Sequence, residues 1–195
     1  MKSLKATKTA ENLMKAFAGE SQARSRYTYY SSVAKKQGYN QIANIFLETA
    51  EQEKEHAKRF FKFLKTDLQN EAVEITASFP VALHEETKEN LKAAANGEKE
   101  EWSELYPEFA RVAKEEGFEE ISTAFEMIAK VEVGHENRYL KLLANLEKGS
   151  VFVKDREVQW KCANCGYIHT GTSAPELCPA CVHPQGYFEL FCENY

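Results

Sequence analysis

Glycine and proline are scarce, 9 and 5 in 195 residues, and of the prolines only Pro80 and Pro107 precede Gly149. That scarcity excludes a turn-rich β architecture for most of the chain and leaves long uninterrupted helices. No apolar run approaches the roughly 20 residues of a membrane span, and the N-terminal Met-Lys-Ser-Leu-Lys-Ala-Thr-Lys lacks the apolar core of a secretory leader. No block of basic residues is present either. The 25 Lys and Arg are interspersed with 30 Asp and Glu, for a net charge of −5, which argues against a nucleic-acid partner. The expectation is a soluble, cytoplasmic protein with neither nucleic acid nor membrane as partner. Cysteines number 5. Four stand in two close pairs and Cys192 stands alone, a pattern of metal ligation in a reducing compartment and not of a disulfide frame.

What is present divides near residue 150. Before it, apolar residues recur at intervals of three and four; after Gly149 come short β-branched and aromatic stretches broken by Gly, Pro and Cys. The expected domains are 1–148 and 149–195. The first reads as four helices over 4–37, 39–66, 85–116 and 118–147, with Gly38 and Gly117 closing the first and third, and a long crossover from Asp67 to about His84. The fold class is therefore mainly α, a four-helix bundle with one long crossover, plus a small β-rich metal module.

The helix pairs repeat. Shifting residues 27–64 by 79 onto 106–143 gives 13 identities in 38 positions, among them Tyr27 on Tyr106, Gly38 on Gly117, Phe46 on Phe125, Glu53 on Glu132 and His56 on His135. Upstream, Gly19-Glu20 matches Gly97-Glu98 at a shift of 78. A one-residue bulge or kink in the third helix, near Pro107, absorbs the slip.

Glu53-x-x-His56 and Glu132-x-x-His135 each aim a carboxylate and an imidazole from one helix face, because residues three apart are neighbours on a helix. The glutamates interrupt apolar stripes: Leu13, Phe17, Glu20, Tyr27 and Ala34; Phe46, Glu53, Phe60 and Leu64; Leu91, Ala94, Glu98, Glu101 and Leu105; Ile121, Phe125, Ile128, Glu132, His135, Tyr139 and Leu142. Met14 and Met127 are expected in the core. Buried carboxylates without partners cost several kcal/mol each. No Lys or Arg falls on these stripes in register to compensate them, so metal does, and mixed oxygen and imidazole donors suit iron or manganese. Tyr27 and Tyr106 fit either plain core filling or hydrogen bonding to the glutamates. His84, His169 and His183 lack a matching constellation.

Cys162-Ala-Asn-Cys165 and Cys178-Pro-Ala-Cys181 can close a tetrahedral four-thiolate site. Zinc and iron both accept that geometry; beside a redox-capable bundle, iron becomes the favoured reading.

As a set, Gly19-Glu20-Ser-Gln-Ala-Arg, Glu53-x-x-His56, Gly97-Glu98-x-x-Glu101, Glu132-x-x-His135 and Cys162-x-x-Cys165-Gly-Tyr…Cys178-Pro-x-Cys181 resemble the rubrerythrin family over essentially the whole chain. The resemblance implies a ferritin-like bundle carrying a di-iron oxo centre, two irons per subunit. It also implies a rubredoxin-like domain with one iron per subunit on Cys162, Cys165, Cys178 and Cys181, in a homodimer that passes electrons between subunits. By position, Glu53 and Glu132 would bridge the irons, Glu20 and Glu98 would be terminal ligands, and His135 would hold the second iron. Glu101 would bind one iron when oxidised and His56 would replace it on reduction. Tyr27 and Tyr106 would hydrogen-bond the terminal glutamates. The implied activity is a peroxidase that reduces hydrogen peroxide to water in the oxidative-stress defence of an anaerobe, fed by rubredoxin or an NAD(P)H-dependent reductase. The competing expectation is a ferroxidase handling iron, with a merely structural zinc on the cysteines. Cys192 lies outside the family pattern.

Overall fold

Thr7 opens the first helix: extended at φ −100°, ψ 155°, it accepts the Ala10 N–H on its hydroxyl, which satisfies one of the unpaired amides of the first turn. In the computed structural model, which describes residues 2–194, α1 therefore starts at Lys8 and runs to Lys36, not from residue 4. Leu4 stays outside the helix and still buries its side chain against the bundle. Helix α2 spans Asn40–Leu68, and α3 spans Thr87–Glu100. A π-helical segment, Glu101–Leu105, continues into α4, Tyr106–Glu115, and α5 covers Glu119–Glu147. The third rod of the bundle is thus α3, the π segment and α4 in line.

Gly38 and Gly117 sit at φ +81° and +78°, left-handed conformations that cost a residue with a Cβ about 1 kcal/mol or more. At each, a Schellman pair closes the helix. Tyr39 N–H donates to Ala34 O at 2.9 Å and Gly38 N–H to Lys35 O at 3.1 Å; Phe118 N–H donates to Ala113 O at 2.8 Å and Gly117 N–H to Lys114 O at 2.9 Å. These equal, short turns make α1 and α2, and α4 and α5, antiparallel neighbours. The segment between α2 and α3 forms the crossover, tied down where Tyr30 Oη donates to Ala82 O at 2.7 Å and where His84 exchanges two backbone bonds with the Asn90 side chain. No helix among the described residues is long and apolar enough to cross a membrane.

The π segment is the bulge that the slip from 78 to 79 requires: one residue is inserted between Glu98 and Tyr106, and the widened turn accommodates it. The widening rotates the stripe. Leu105, expected inward, is 37% exposed, and Tyr106 is buried in its place. Met127 also departs from expectation, lying 44% exposed on the outer face of α5.

Two apolar clusters fill the bundle. One gathers Leu13, Phe60, Leu64, Tyr106 and Phe125, the other Tyr27, Tyr30, Phe46, Leu91 and Tyr139. The buried glutamates fall between them along every rod: Glu20 lies between Ala16 and Ala23, Glu53 between Ala50 and Ala57, and Glu132 between Ile128 and Tyr139. Beyond α5, β1 (Val153–Cys162), β2 (Ile168–Ser173) and β3 (Phe188–Leu190) form an antiparallel sheet in the order β2-β1-β3 around Trp160 and Phe188. This module touches the α1–α2 turn, where Tyr39 stacks on Phe152 at 6.1 Å and the Asn40 side-chain amide donates to Gly186 O at 3.0 Å.

Candidate metal centres

Four helical rods deliver ligand atoms to one layer. Atoms of Glu20, Glu53, His56 and Glu132 lie within 4.8 Å of one another, and so do atoms of Glu53, Glu98, Glu132 and His135. The two quartets share Glu53 and Glu132, the carboxylates of the two repeated tetrapeptides. His56 Nδ1 stands 2.9 Å from Glu53 Oε2 and 3.0 Å from Glu132 Oε1; His135 Nδ1 stands 2.7 Å from Glu132 Oε2 and 3.1 Å from Glu53 Oε1. Glu101 belongs to neither quartet. It sits at the head of the π segment, close enough that its charge raises the pKa of Glu20, after burial and Glu53.

Tyrosine hydroxyls at repeat-related positions hold the outer glutamates from neighbouring rods. Tyr27 Oη on α1 donates to Glu98 Oε1 on α3, and Tyr106 Oη on α4 donates to Glu20 Oε1 on α1, both at 2.5 Å and both fully buried. Each leaves one carboxylate oxygen without a partner. Among the described residues, eight buried side-chain atoms lack a well-directed hydrogen bond: Arg138 Nε and Tyr139 Oη, and six that belong to the two quartets, namely Glu20 Oε2, Glu53 Oε1, Glu98 Oε2, both oxygens of Glu132 and His135 Nδ1. Native interiors leave few polar atoms unsatisfied, so a cluster of them converging from four rods fits two bound cations. The electrostatics of the cluster agree. Burial pushes Glu98 up to about 8, reinforced by the charge of Glu53, and raises Glu20 and Glu101 well above the ordinary carboxylate range. Burial opposes the charge on His56 and His135, yet the surrounding glutamates outweigh it and raise them to about 9 and about 12. Protons thus stand in for missing positive charge.

A cavity of about 300 Å³ lined by Gly19, Arg26, Phe79, Gly97, Glu101 and Tyr106 opens between the crossover and the first and third rods, a route from solvent to Glu101. Arg26, though absent from the stripe reading, is a cation whose charge opposes the upward shift of Glu101, while its own hydrogen bonds go to Gln22 and Tyr30.

In the C-terminal module, the knuckles bring Cys162 Sγ to 3.7 Å from Cys181 Sγ and Cys165 Sγ to 3.6 Å from Cys178 Sγ. A tetrahedron with metal–sulfur bonds of about 2.3 Å has edges of about 3.8 Å. The backbone N–H of His183 lowers Cys181 to about 6. At Cys165 the Tyr167 N–H favours the thiolate, but the neighbouring sulfurs outweigh it and push the group to about 12, so holding a thiolate at this position beside three other sulfurs fits a bound cation. Cys165 is exposed and Cys162 and Cys178 are buried, which leaves one edge of the site facing solvent. His183 packs edge-on against Tyr187 at 4.6 Å, and Cys192 is exposed outside the quartet.

Three contacts around the bundle site were not legible as site features from motif spacing. Trp102 Nε1 donates to Glu136 Oε2 at 2.6 Å, joining the π segment to α5 beside His135. Gln52 Oε1 lies 3.0 Å from His135 Nε2, and Arg138 reaches Gln52, Thr49 and Glu48. The signal for Gln52 lies in the places where the two repeats differ, not in the identities that define them.

Comparison with known proteins agrees with this geometry. The family model described as Rubrerythrin matches residues 11–143, and that described as Rubrerythrin, rubredoxin-like domain, matches 160–189. The chain is 67% identical over 195 residues to a rubrerythrin of Clostridium perfringens (strain 13 / Type A), with 100% of both chains covered. It is 52% identical over 195 residues to one of Nitratidesulfovibrio vulgaris, again with 100% of both covered. Among solved structures, nigerythrin in a mixed-valence state aligns with a TM-score of 0.63 and 32% identity, over 97% of this chain and 92% of that one. A ferritin-like bundle with a di-iron carboxylate site is joined to a rubredoxin-like four-cysteine iron site, and the chain belongs to the rubrerythrin family.

Proposed function

We propose that this protein is a peroxidase that reduces hydrogen peroxide to water, built as a di-iron bundle over 1–148 and a rubredoxin-like electron inlet over 149–195. The observation that carries the reading is a surplus of ligands on one side of the site. His56 completes a quartet with Glu20, Glu53 and Glu132, while Glu101, with its pKa raised by burial and by Glu98, stands beside it uncommitted. Two groups for one coordination position suit a metal that changes place with its oxidation state, which a storage site does not need. We assign Glu20, Glu53, His56, Glu98, Glu101, Glu132 and His135 as the di-iron ligands, and Cys162, Cys165, Cys178 and Cys181 as those of the single iron.

What the iron pair supplies when bound is Lewis acidity and two electrons delivered together. The chain's residues do the rest. Tyr27 and Tyr106 fix Glu98 and Glu20 by donating hydrogen bonds, so the outer carboxylates keep their orientation through turnover. With His56 in the quartet, the Glu101 carboxyl is free to hold a proton on its oxygen, because burial and the charges of Glu98, Glu132 and Glu53 oppose its ionisation. That proton is available to a departing oxygen of the substrate, which reaches Glu101 through the cavity between Phe79 and Gly97. Electrons return through the cysteine module from rubredoxin or an NAD(P)H-dependent reductase, in a cytoplasmic homodimer. The test is anaerobic reduction followed by mixing with hydrogen peroxide or dioxygen, following the visible ferric-thiolate bands. Fast reoxidation by stoichiometric peroxide and slower response to dioxygen are expected; a preference for dioxygen with uptake of further Fe²⁺ would replace this reading by a ferroxidase.

A further inference from the structure

The two Glu-x-x-His tetrapeptides are copies, yet their histidines are held differently. His135 Nε2 lies 3.0 Å from Gln52 Oε1, and the same oxygen takes a second contact from Arg138 Nη2 at 3.3 Å. Arginine has donors only, so the Gln52 amide must turn its oxygen toward both groups, and His135 must donate from Nε2. That leaves Nδ1 as the atom facing Glu53, Glu98 and Glu132. Arg138 is itself anchored to Glu48 Oε1 and Thr49 Oγ1, both at 2.6 Å. His135 therefore ends a fixed polar chain running along α2.

At the repeat-related position this chain is missing. Gln52 corresponds to Val131, Glu48 to Met127 and Thr49 to Ile128, so three polar groups face three apolar ones across the shift of 79. The arginine is kept, as Arg59, but it turns away to Glu120 Oε1 at 2.8 Å and lies over the Phe63 ring at 4.3 Å. Among the described residues His56 has close polar contacts only through Nδ1, to the cluster glutamates, and its side chain is 13% exposed against 5% for His135. Val131 can offer no hydrogen bond, and at 42% exposed it is not part of the core.

We propose that Gln52 is a positioning residue that pins His135 as the stationary ligand of the site, and that Val131, its counterpart in the repeat, leaves His56 unanchored and so able to move. The second half rests on the reading of His56 as the ligand that exchanges with Glu101; the first half stands without it. A carboxylate or amide on the outer nitrogen of a ligating imidazole fixes its ring and raises its basicity. Removing it from one histidine and giving it to the other should exchange their behaviour.

The test uses the full chain with Gln52→Val, Gln52→Glu and Val131→Gln. Protein with its four-thiolate site filled and its bundle free of metal is titrated with Co²⁺, and crystals of the iron-loaded protein are solved oxidised and after dithionite. Gln52→Val should weaken Co²⁺ binding at the His135 site by about 10- to 100-fold and let the His135 ring occupy a second position, and Gln52→Glu, which keeps the acceptor, should restore both. Val131→Gln should hold His56 in one place in both oxidation states. An unchanged affinity and an unmoved His135 in Gln52→Val would overturn the assignment of Gln52. Should that variant not fold, Val131→Gln decides, since its site is exposed; a His56 that shifts there as in the parent overturns the proposal. If His56 does not shift in the parent protein, the exchange reading fails, and the Co²⁺ titration still decides the role of Gln52.

Discussion

Metal loading of the bundle should expel protons, and their number follows from the site. At neutral pH the metal-free cluster holds protons on His135, on His56 and on Glu98, raised to about 12, about 9 and about 8. Each must give up its proton to bind a cation. Glu53 contributes none: although burial opposes its charge, hydrogen bonds from His135 and His56 bring it to about 2. Glu20 and Glu101, raised by burial, can only add to the count. The release is therefore about three protons or more per bundle, and the apparent affinity should climb about three decades per pH unit near neutrality, less steeply once pH exceeds the value for Glu98. The same shifts fix the sign for stability without metal. His56 is raised from 6.5 to about 9, so its contribution is complete below 6.5 and is lost as pH rises through 9. Glu98 is raised from 4.5 to about 8; the folded state keeps a proton that the unfolded chain surrenders above 4.5, so this contribution too is lost on the way to 8. Metal-free protein should melt at a lower temperature at pH 9 than at pH 6, by about 2–4 °C for each kcal/mol lost, while metal uptake strengthens. The assay is calorimetric titration of Co²⁺ into protein whose four-thiolate site is already filled, in two buffers of different ionisation enthalpy, beside thermal melts of the metal-free form. Release of fewer than one proton, or a melting temperature that rises toward pH 9, would refute the reasoning.

Tyr106→Phe and Tyr27→Phe each delete a buried donor to a carboxylate at 2.5 Å and should each cost about 1.5–3 kcal/mol in the loaded protein, read as a lowered melting temperature with iron content retained; equal melting would show that the hydroxyls do not hold Glu20 and Glu98. At Gly186 an added Cβ would meet Gly38 O at 2.1 Å, so Gly186→Ala should push the module off the α1–α2 turn and abolish the nuclear Overhauser contacts between the Tyr39 and Phe152 rings in zinc-loaded protein; their survival would mean the backbone yields without separation.

Much of the fold could be read from the chain because local and global signals agree. Long stripes of apolar residues, scarce glycine and the paired Gly38 and Gly117 define the rods, and the one-residue slip in the repeat calls for a bulge or kink near Pro107, beside which the π segment Glu101–Leu105 lies. What failed did so where a local deviation redirects side chains. The π turn exposes Leu105, and Leu4 packs without being helical, since the hydroxyl of Thr7 favours a cap over continuation. Met127 sits on the outer face because a methionine in a helical pattern reads the same whether it faces a core or not.

The candidate site divides along a similar line. Residues that repeat, such as Glu53 and Glu132, declare themselves through spacing, because a ligand must reach a fixed point from a fixed helix face. Residues that act on a ligand from behind carry no such spacing. Gln52 looks like an ordinary surface-helix glutamine until its partner Val131 is set beside it, and Glu101 becomes notable only because Ala23 and Arg24 stand where a second copy would need a carboxylate. Identity between the halves is what two equivalent cations require, whereas a site that passes between oxidation states needs its halves to respond differently. In this chain the differences are concentrated at the inserted turn bearing Glu101 and along the face where Glu48, Thr49 and Gln52 oppose Met127, Ile128 and Val131. On the proposed reading, one set adds a ligand, Glu101, and the other removes a restraint from His56, the histidine that exchanges with it. Both changes act on the same half of the site, around His56, which is the arrangement a single moving cation beside a stationary one calls for.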